Sequence, residues 1–225
     1  MLSAIYTRTR PIIPVDELSL ISNRQDTPTL VTTGFNSLVE SSSAFSPITK
    51  SLQELVSLTS DIRTLRGVLP SHNELFSFTA RRSWVEWSLS TLRNPGIENC
   101  VRLAALIYSN IVLRKMPCAS AVLSHLTNEL RLASDDIDLA ANWENKTELL
   151  LWVLFQGGAA ATEEQMRNWY LGHLSRVCKV LGVQTWNDIF EILDSFVWAR
   201  CDLVKRCKPL WCDIAVGMSS FYGNG

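Results

Sequence analysis

Few residues in this chain are suited to bond-making chemistry. Three histidines, His72, His125 and His173, are scattered along 225 residues. His125 and Glu129 stand at i, i+4, so on a helix the carboxylate could orient the imidazole as a general base. No GxSxG, HExxH or Cys–His pattern accompanies them. An exposed or core-satisfied imidazole is the commoner fate of such residues. Asp135, Asp136 and Asp138 form an acidic cluster that could hold magnesium and a diphosphate in a metal-dependent enzyme. No second metal motif accompanies it, and a solvated loop after a helix is the plainer reading. Of the six cysteines, Cys178, Cys201, Cys207 and Cys212 could in principle surround zinc. Structural zinc sites use pairs about two to four residues apart. The wide spacing here, among aliphatic and aromatic neighbours, reads as buried thiols. Gly157-Gly158 lacks the following Lys-Ser/Thr of a phosphate loop. Lys205-Arg206-Cys207-Lys208 could be a weak nuclear-import or phosphate patch, but four residues at a helix end suit solvation better. The expectation is therefore no catalytic residue, no metal ligand and no cofactor.

Composition sets the scale. Hydrophobic residues make up 47% and charged residues 19%, which suits a chain with a sizeable core. Lys plus Arg is 21 against Asp plus Glu 22, a net charge of −1. Such a chain has no global field for gripping a polyanion, so direct DNA binding is not expected. Eight Trp and eight Phe favour broad packing surfaces between helices. Residues 1–15 lack the apolar stretch of a signal peptide. The runs Leu149–Phe155 and Leu103–Tyr108 fall short of the roughly 20 apolar residues that a bilayer needs. A soluble intracellular chain with no membrane contact is expected. Asn145-Lys146-Thr147 has the form of a glycosylation sequon and is read as chance or a helix start.

The elements that must position these residues read as helices. Residues 1–45, rich in Ser, Thr, Pro and Asn, read as a flexible tail or linker, and residues 46–225 as one helical domain. Ser46-Pro47 resembles an N-cap with Pro at the first helical position, and Gly67 ends that segment. Ser71 and Glu74 fit a capping box. The helix behind it carries two apolar rows, with Phe76, Ala80, Trp84 and Trp87 on one. Leu75, Phe78, Val85, Leu89 and Leu92 form the other, and Arg82 lies inside it. Ile97 to Leu113 is apolar nearly all round, the mark of a central helix. Pro117 opens a helix reaching about Ala133. Asn145 and Glu148 suggest a cap before Leu149–Phe155. Thr162 and Gln165 suggest another capping box, Gly182 stops the helix that follows, and Thr185 suggests a further cap. A shorter helix or turn near Cys201 to Ile214 carries Trp211. The sum is an all-α fold of about seven helices with no strand alternation. Gly157-Gly158 inside a helix would cost up to about 1 kcal/mol each relative to Ala, unless a neighbouring helix approaches closely there.

Four stretches of this pattern resemble a known family. They are Ala80–Leu89 (ARRSWVEWSL), Cys100–Tyr108 (CVRLAALIY), Leu150–Ala160 (LLWVLFQGGAA), and Arg167–Tyr170 (RNWY) followed by Trp186 and Phe196-Val197-Trp198. In this order they are similar to the fungal-specific transcription factor domain. That domain is the C-terminal regulatory region of fungal binuclear zinc-cluster transcription factors. The resemblance covers about residues 46 to 214. It implies a nuclear, helical regulatory domain acting through protein partners or self-association. The family's cysteine-rich zinc cluster is absent, so no DNA contact or zinc ligand carries over. Arg82, Arg102, Trp152, Gly157, Gly158 and Trp169 carry over as packing positions. Arg81, Arg82 and Arg102, on otherwise apolar helices, are expected to pair with acids such as Glu148 or Asp194 and set helix register. Two alternatives stand beside the regulatory reading. One is a small-molecule sensor with a cavity near Trp152, Gly157 and Trp169. The other, ranked below it, is a metal-dependent enzyme using the acidic cluster at 135–138.

Overall fold

A computed structural model describes residues 33–36, 38, 47–64, 70–93, 95–135, 143 and 145–222. Among the described residues there are eight α-helices, a 3-10 turn at Thr33–Phe35 and a π-helical turn at Ser109–Leu113, with no strand. The helices are α1 (Pro47–Thr64), α2 (His72–Thr91), α3 (Ile97–Tyr108), α4 (Ala121–Asp135), α5 (Thr147–Ala160), α6 (Glu164–Leu181), α7 (Trp186–Asp194) and α8 (Arg200–Tyr222). The all-α expectation holds, with one helix more than the apolar pattern suggested.

Helix α5 is the axis of the fold. It packs against α3, α4, α6, α7, α8 and the 3-10 turn. Every residue from Leu149 to Ala160 is buried. A helix apolar all round must be enclosed on all sides, and five neighbouring helices do this. The other helices present a stripe. Helix α1 turns Ile48, Leu52, Leu55 and Leu58 into the core, and α7 turns in Ile189 and Leu193.

Several local signals act as read. Ser71 Oγ accepts from the Glu74 amide, and Glu74 accepts from the Ser71 amide, completing the capping box of α2. Thr185 and Asp188 form a second reciprocal box at α7. Gly182 ends α6 in the left-handed region at φ +67°, where Gly is free of a Cβ clash.

Other signals are overridden. Asn145 is left-handed and Lys146 is the residue before α5, with no side-chain cap. Helix α6 starts after Glu163 rather than on a Thr162–Gln165 box. Pro117 opens only a turn; α4 begins at Ala121, where Ser120 Oγ accepts from the Leu123 amide. Helix α8 runs from Arg200 to Tyr222, straight through Pro209, where a shorter helix was expected. Leu75 and Phe76, assigned to inward rows of α2, are about half exposed (50% and 52%). The whole stretch 71–77 stands clear of the bundle.

The segment read as a tail carries an ordered piece near its end. Most of residues 1–45 lie outside the described residues, but Phe35 and Leu38 belong to the core. The Gly34 amide donates to the Ser195 carbonyl (2.9 Å), which holds this turn at the α7–α8 corner. The structured domain therefore takes in side chains well before Ser46.

Candidate functional site

The first concentration of large side chains is an aromatic seam on α5. Trp152 is fully buried, with Phe35 edge-on at 5.2 Å and Phe196 stacked at 5.9 Å between ring centroids. Its indole Nε1 donates to the Val197 carbonyl (3.1 Å), so the ring bridges α5 to the segment before α8. One turn on, Gly157 lies under Tyr170 of α6. A Cβ at Gly157 would sit 2.3 Å from that ring. The phenol reaches past α5 and donates to the Thr127 carbonyl of α4 (2.9 Å). At Gly158 a Cβ would meet Leu210 of α8 at 3.1 Å. The glycines thus accept neighbouring side chains. Their lack of a Cβ lets one tyrosine tie three helices together.

The cavity expected near Trp152, Gly157 and Trp169 is therefore filled at its first two positions. Trp169 is half-buried at the edge of the core, beyond Tyr170. It packs edge-on against Tyr170 (4.8 Å), lies 4.2 Å from the His173 ring, and donates to Asp135 (3.2 Å).

The second concentration is ionic and lies where α1, α2 and the π-helical turn meet. Arg81 is buried and donates to Glu54, to Asp61 (2.5 Å) and to Ser57 (2.8 Å), all on α1. Burial alone would lower its pKa, but the charges of Glu54 and Asp61 outweigh that and raise it. Arg102 donates from Nη1 to the Leu89 carbonyl (3.1 Å) and holds Asn99 Oδ1 through Nε and Nη2. It thereby supplies a donor to the last turn of α2, whose carbonyls have no partner within the helix. Burial is the main cause that lowers its pKa.

Glu86, only 1% exposed, is the most enclosed carboxylate of the group. Its Oε1 accepts from Arg114 Nε (2.7 Å) and from Ser109 Oγ (2.9 Å), and its Oε2 accepts from Arg114 Nη2. The π-helical turn delivers both partners, since Ser109 opens it and Arg114 follows it. Arg82 stands one turn before Glu86. Its Nε is enclosed and meets no acceptor. Burial lowers its pKa most; the Glu86 charge opposes this and the Arg114 charge adds to it.

These pairings replace the expected ones. Glu148 is exposed at the start of α5, and Asp194 pairs with Arg200 (2.7 Å), whose guanidinium covers the Phe190 ring. Sequence reading also missed Glu86, Ser109 and Arg114 as a buried cluster. Its one local signal is a carboxylate on the packed half of a helix. Nothing local links residue 86 to residue 114.

The residues that could do chemistry are not brought together. His72 and His125 are exposed, as is Glu129, while His173 is part-buried against Trp169. Burial, then Arg176, lowers the His173 pKa, and Asp135 partly opposes this. Asp135 is held by Trp169 and by Arg131 (3.6 Å). Asp136 and Asp138 lie outside the described residues. Among the described residues, no group of three His, Cys, Asp or Glu side chains is set to hold a metal. Cys178 and Cys207 are buried, and burial pushes both thiols up, Cys178 to about 12. Cys212 is exposed, contrary to the buried reading, and the Cys201 side chain lies outside the described residues. The basic tract is split by helical periodicity. Lys205 and Lys208 face solvent, whereas Arg206 turns inward to Cys118 and the Met116 carbonyl (3.3 Å). No helix among the described residues is long and apolar enough to cross a membrane.

Comparison with known proteins agrees with this architecture of packing positions. The family model described as the fungal specific transcription factor domain matches residues 24–221, most of the chain. Neither the curated proteins nor the solved structures compared gave a match. The matched span begins before Phe35, which fits that residue's place in the core. The chain belongs to the fungal specific transcription factor domain family, and its role is regulatory, in transcription.

Proposed function

We propose that this domain is a non-enzymatic regulatory module that acts in the nucleus through contacts with other proteins, without gripping DNA itself. The observation that carries the reading is the exposed start of α2. Leu75 and Phe76 are about half exposed in the first two turns of a helix that the Ser71–Glu74 capping box closes. Large apolar side chains held out in this way suit a protein contact with a polar rim. Two side chains cover far less than the roughly 800 Å² per partner of a stable interface, so a dimer held by them alone is not expected. A heterologous partner that also covers neighbouring surface fits better.

The test is a pair of assays on the whole chain. The wild type should leave duplex DNA unshifted and restore a partner-dependent transcription readout. Leu75→Glu combined with Phe76→Glu should abolish that readout while the melting temperature stays unchanged. Sequence-specific DNA binding by the chain, or full activity of the double variant, would count against the reading.

The sensor alternative finds support away from the tryptophan seam. A cleft of about 320 Å³, lined by Gly34, Asn145, Lys146, Glu148 and Leu181 among others, lies at the start of α5. That volume lies at the lower end of small-molecule sites. A saturable rise in melting temperature that Leu181→Trp removes would favour it.

A further inference from the structure

The cleft at the start of α5 is walled by three separate pieces of chain. They are the 3-10 turn at Thr33 and Gly34, the first residues of α5, and Leu181 at the end of α6. Its volume of about 320 Å³ leaves room for a small metabolite. Two opposite charges line it, Lys146 and Glu148. Among the described residues neither takes part in an ion pair, with the other or with a third group. Lys146 is nonetheless partly buried. Other partly buried bases are served differently: Arg114 holds Glu86, Arg131 holds Asp135 and Arg167 holds Asp213. A charge drawn partly out of water is stabilised by a counter-charge, and here the described residues supply none. Leu149 and Leu181 give the same cleft an apolar wall. The backbone around it is held by two hydrogen bonds of 2.9 Å, from the Gly34 amide to the Ser195 carbonyl and from the Lys146 amide to the Trp143 carbonyl.

We propose that this cleft binds a small zwitterion, an α-amino acid with an aliphatic side chain. The ligand carboxylate would accept from the Lys146 ammonium, and the ligand ammonium would donate to the Glu148 carboxylate. The aliphatic side chain would lie on Leu149 and Leu181. Such a ligand pairs both lining charges at once through charge-assisted hydrogen bonds. A simple acid would leave Glu148 unpaired and bring a like charge beside it. A simple amine would do the same to Lys146. The inference rests on the sensor reading of this cleft and not on the contact at Leu75 and Phe76.

The experiment titrates the whole chain by calorimetry with L-leucine, 4-methylpentanoate and isopentylamine. The three share a branched alkyl group and differ only in their charged groups. Leucine should bind saturably, at least about tenfold more tightly than either of the others. Lys146→Met and Glu148→Gln should each weaken leucine at least about tenfold. Both variants should fold, because neither side chain has an ionic partner to lose. Glu148→Gln should not weaken 4-methylpentanoate, and Lys146→Met should not weaken isopentylamine, a split that a general loss of structure would not produce. No leucine binding, leucine binding no tighter than 4-methylpentanoate, or leucine affinity unchanged in both variants would overturn the zwitterion. The sensor reading is judged by a separate measurement. Leu181→Trp, which fills the cleft, should alter the partner-dependent transcription readout, and an unaltered readout would sink that reading whether or not leucine binds.

Discussion

Helices α5 and α2 are built on opposite plans. In α5, hydropathy and burial agree, because residues from Leu149 to Ala160 are both apolar in sequence and enclosed in space, Gln156 excepted. In α2 they disagree. Leu75 and Phe76 face solvent, whereas Arg81, Ser83, Glu86, Ser88 and Ser90 are buried. The buried serines are small enough to let α1 approach. Ser88 lies 2.9 Å from Ser51 of α1, and Ser90 returns its hydroxyl to the Glu86 carbonyl. One helix is held by dispersion and burial of apolar area, the other by ion pairs and hydroxyls. The lesson is that a hydropathy pattern reports burial only where no charged partner waits across the interface.

The contrast can be broken first at α5. Trp152→Ala should cost about 5 kcal/mol, because it removes a fully buried ring, two aromatic contacts and the bond to Val197. Urea denaturation measures this, and a loss below about 1 kcal/mol would mean that the seam does not hold the fold. At α2, Glu86→Gln should cost about 3 kcal/mol, since it leaves the Arg114 charge enclosed without its counter-ion. The loss should persist in high salt, because a buried pair is poorly screened. Gly157→Ala should cost about 1–3 kcal/mol by driving a methyl group into Tyr170. In a Tyr170→Ala background the same change should cost much less, which a double-mutant cycle would show.

The smallest effect concerns the caps. Hydrogen bonds from the Ser71 side chain and backbone lower the Glu74 pKa, and the amides of Gln184 and Thr185 lower that of Asp188. Both folded-state values lie below the unfolded ones. Their stabilisation is therefore present above the usual carboxylate range and is lost as pH falls through the depressed values. Glu74→Gln should flatten the acid limb of melting temperature against pH slightly, and an unchanged limb would remove Glu74 from that account.

Much of the fold was legible along the chain. The boxes at Ser71 and Thr185, the stop at Gly182 and the enclosed run from Leu149 are local events, fixed by neighbours within about one helical turn. Gly157 and Gly158 were legible as a point of close approach, but Tyr170 as the group that approaches was not. The caps at Asn145 and Thr162 failed because Asn145 takes a left-handed backbone ahead of Lys146, and α6 starts only after Glu163. Phe35 went unseen because a single aromatic residue in a polar stretch shows no periodicity.

The arginines mark the same boundary. Arg81 and Arg82 are adjacent in sequence, yet one is fully paired and the other keeps an enclosed donor without an acceptor. The central place expected for Ile97–Leu113 went instead to α5. Residue order alone decided that the chain is helical, where the caps at Ser71 and Thr185 and the stop at Gly182 fall, and that Leu149–Phe155 is enclosed. Those outcomes rest on interactions a few residues apart. Only tertiary packing decided that Glu86 meets Arg114, that Tyr170 fills the space over Gly157, and that Leu75 and Phe76 stay uncovered. Each of these depends on groups brought together from distant parts of the chain, where shape and charge have to match in three dimensions.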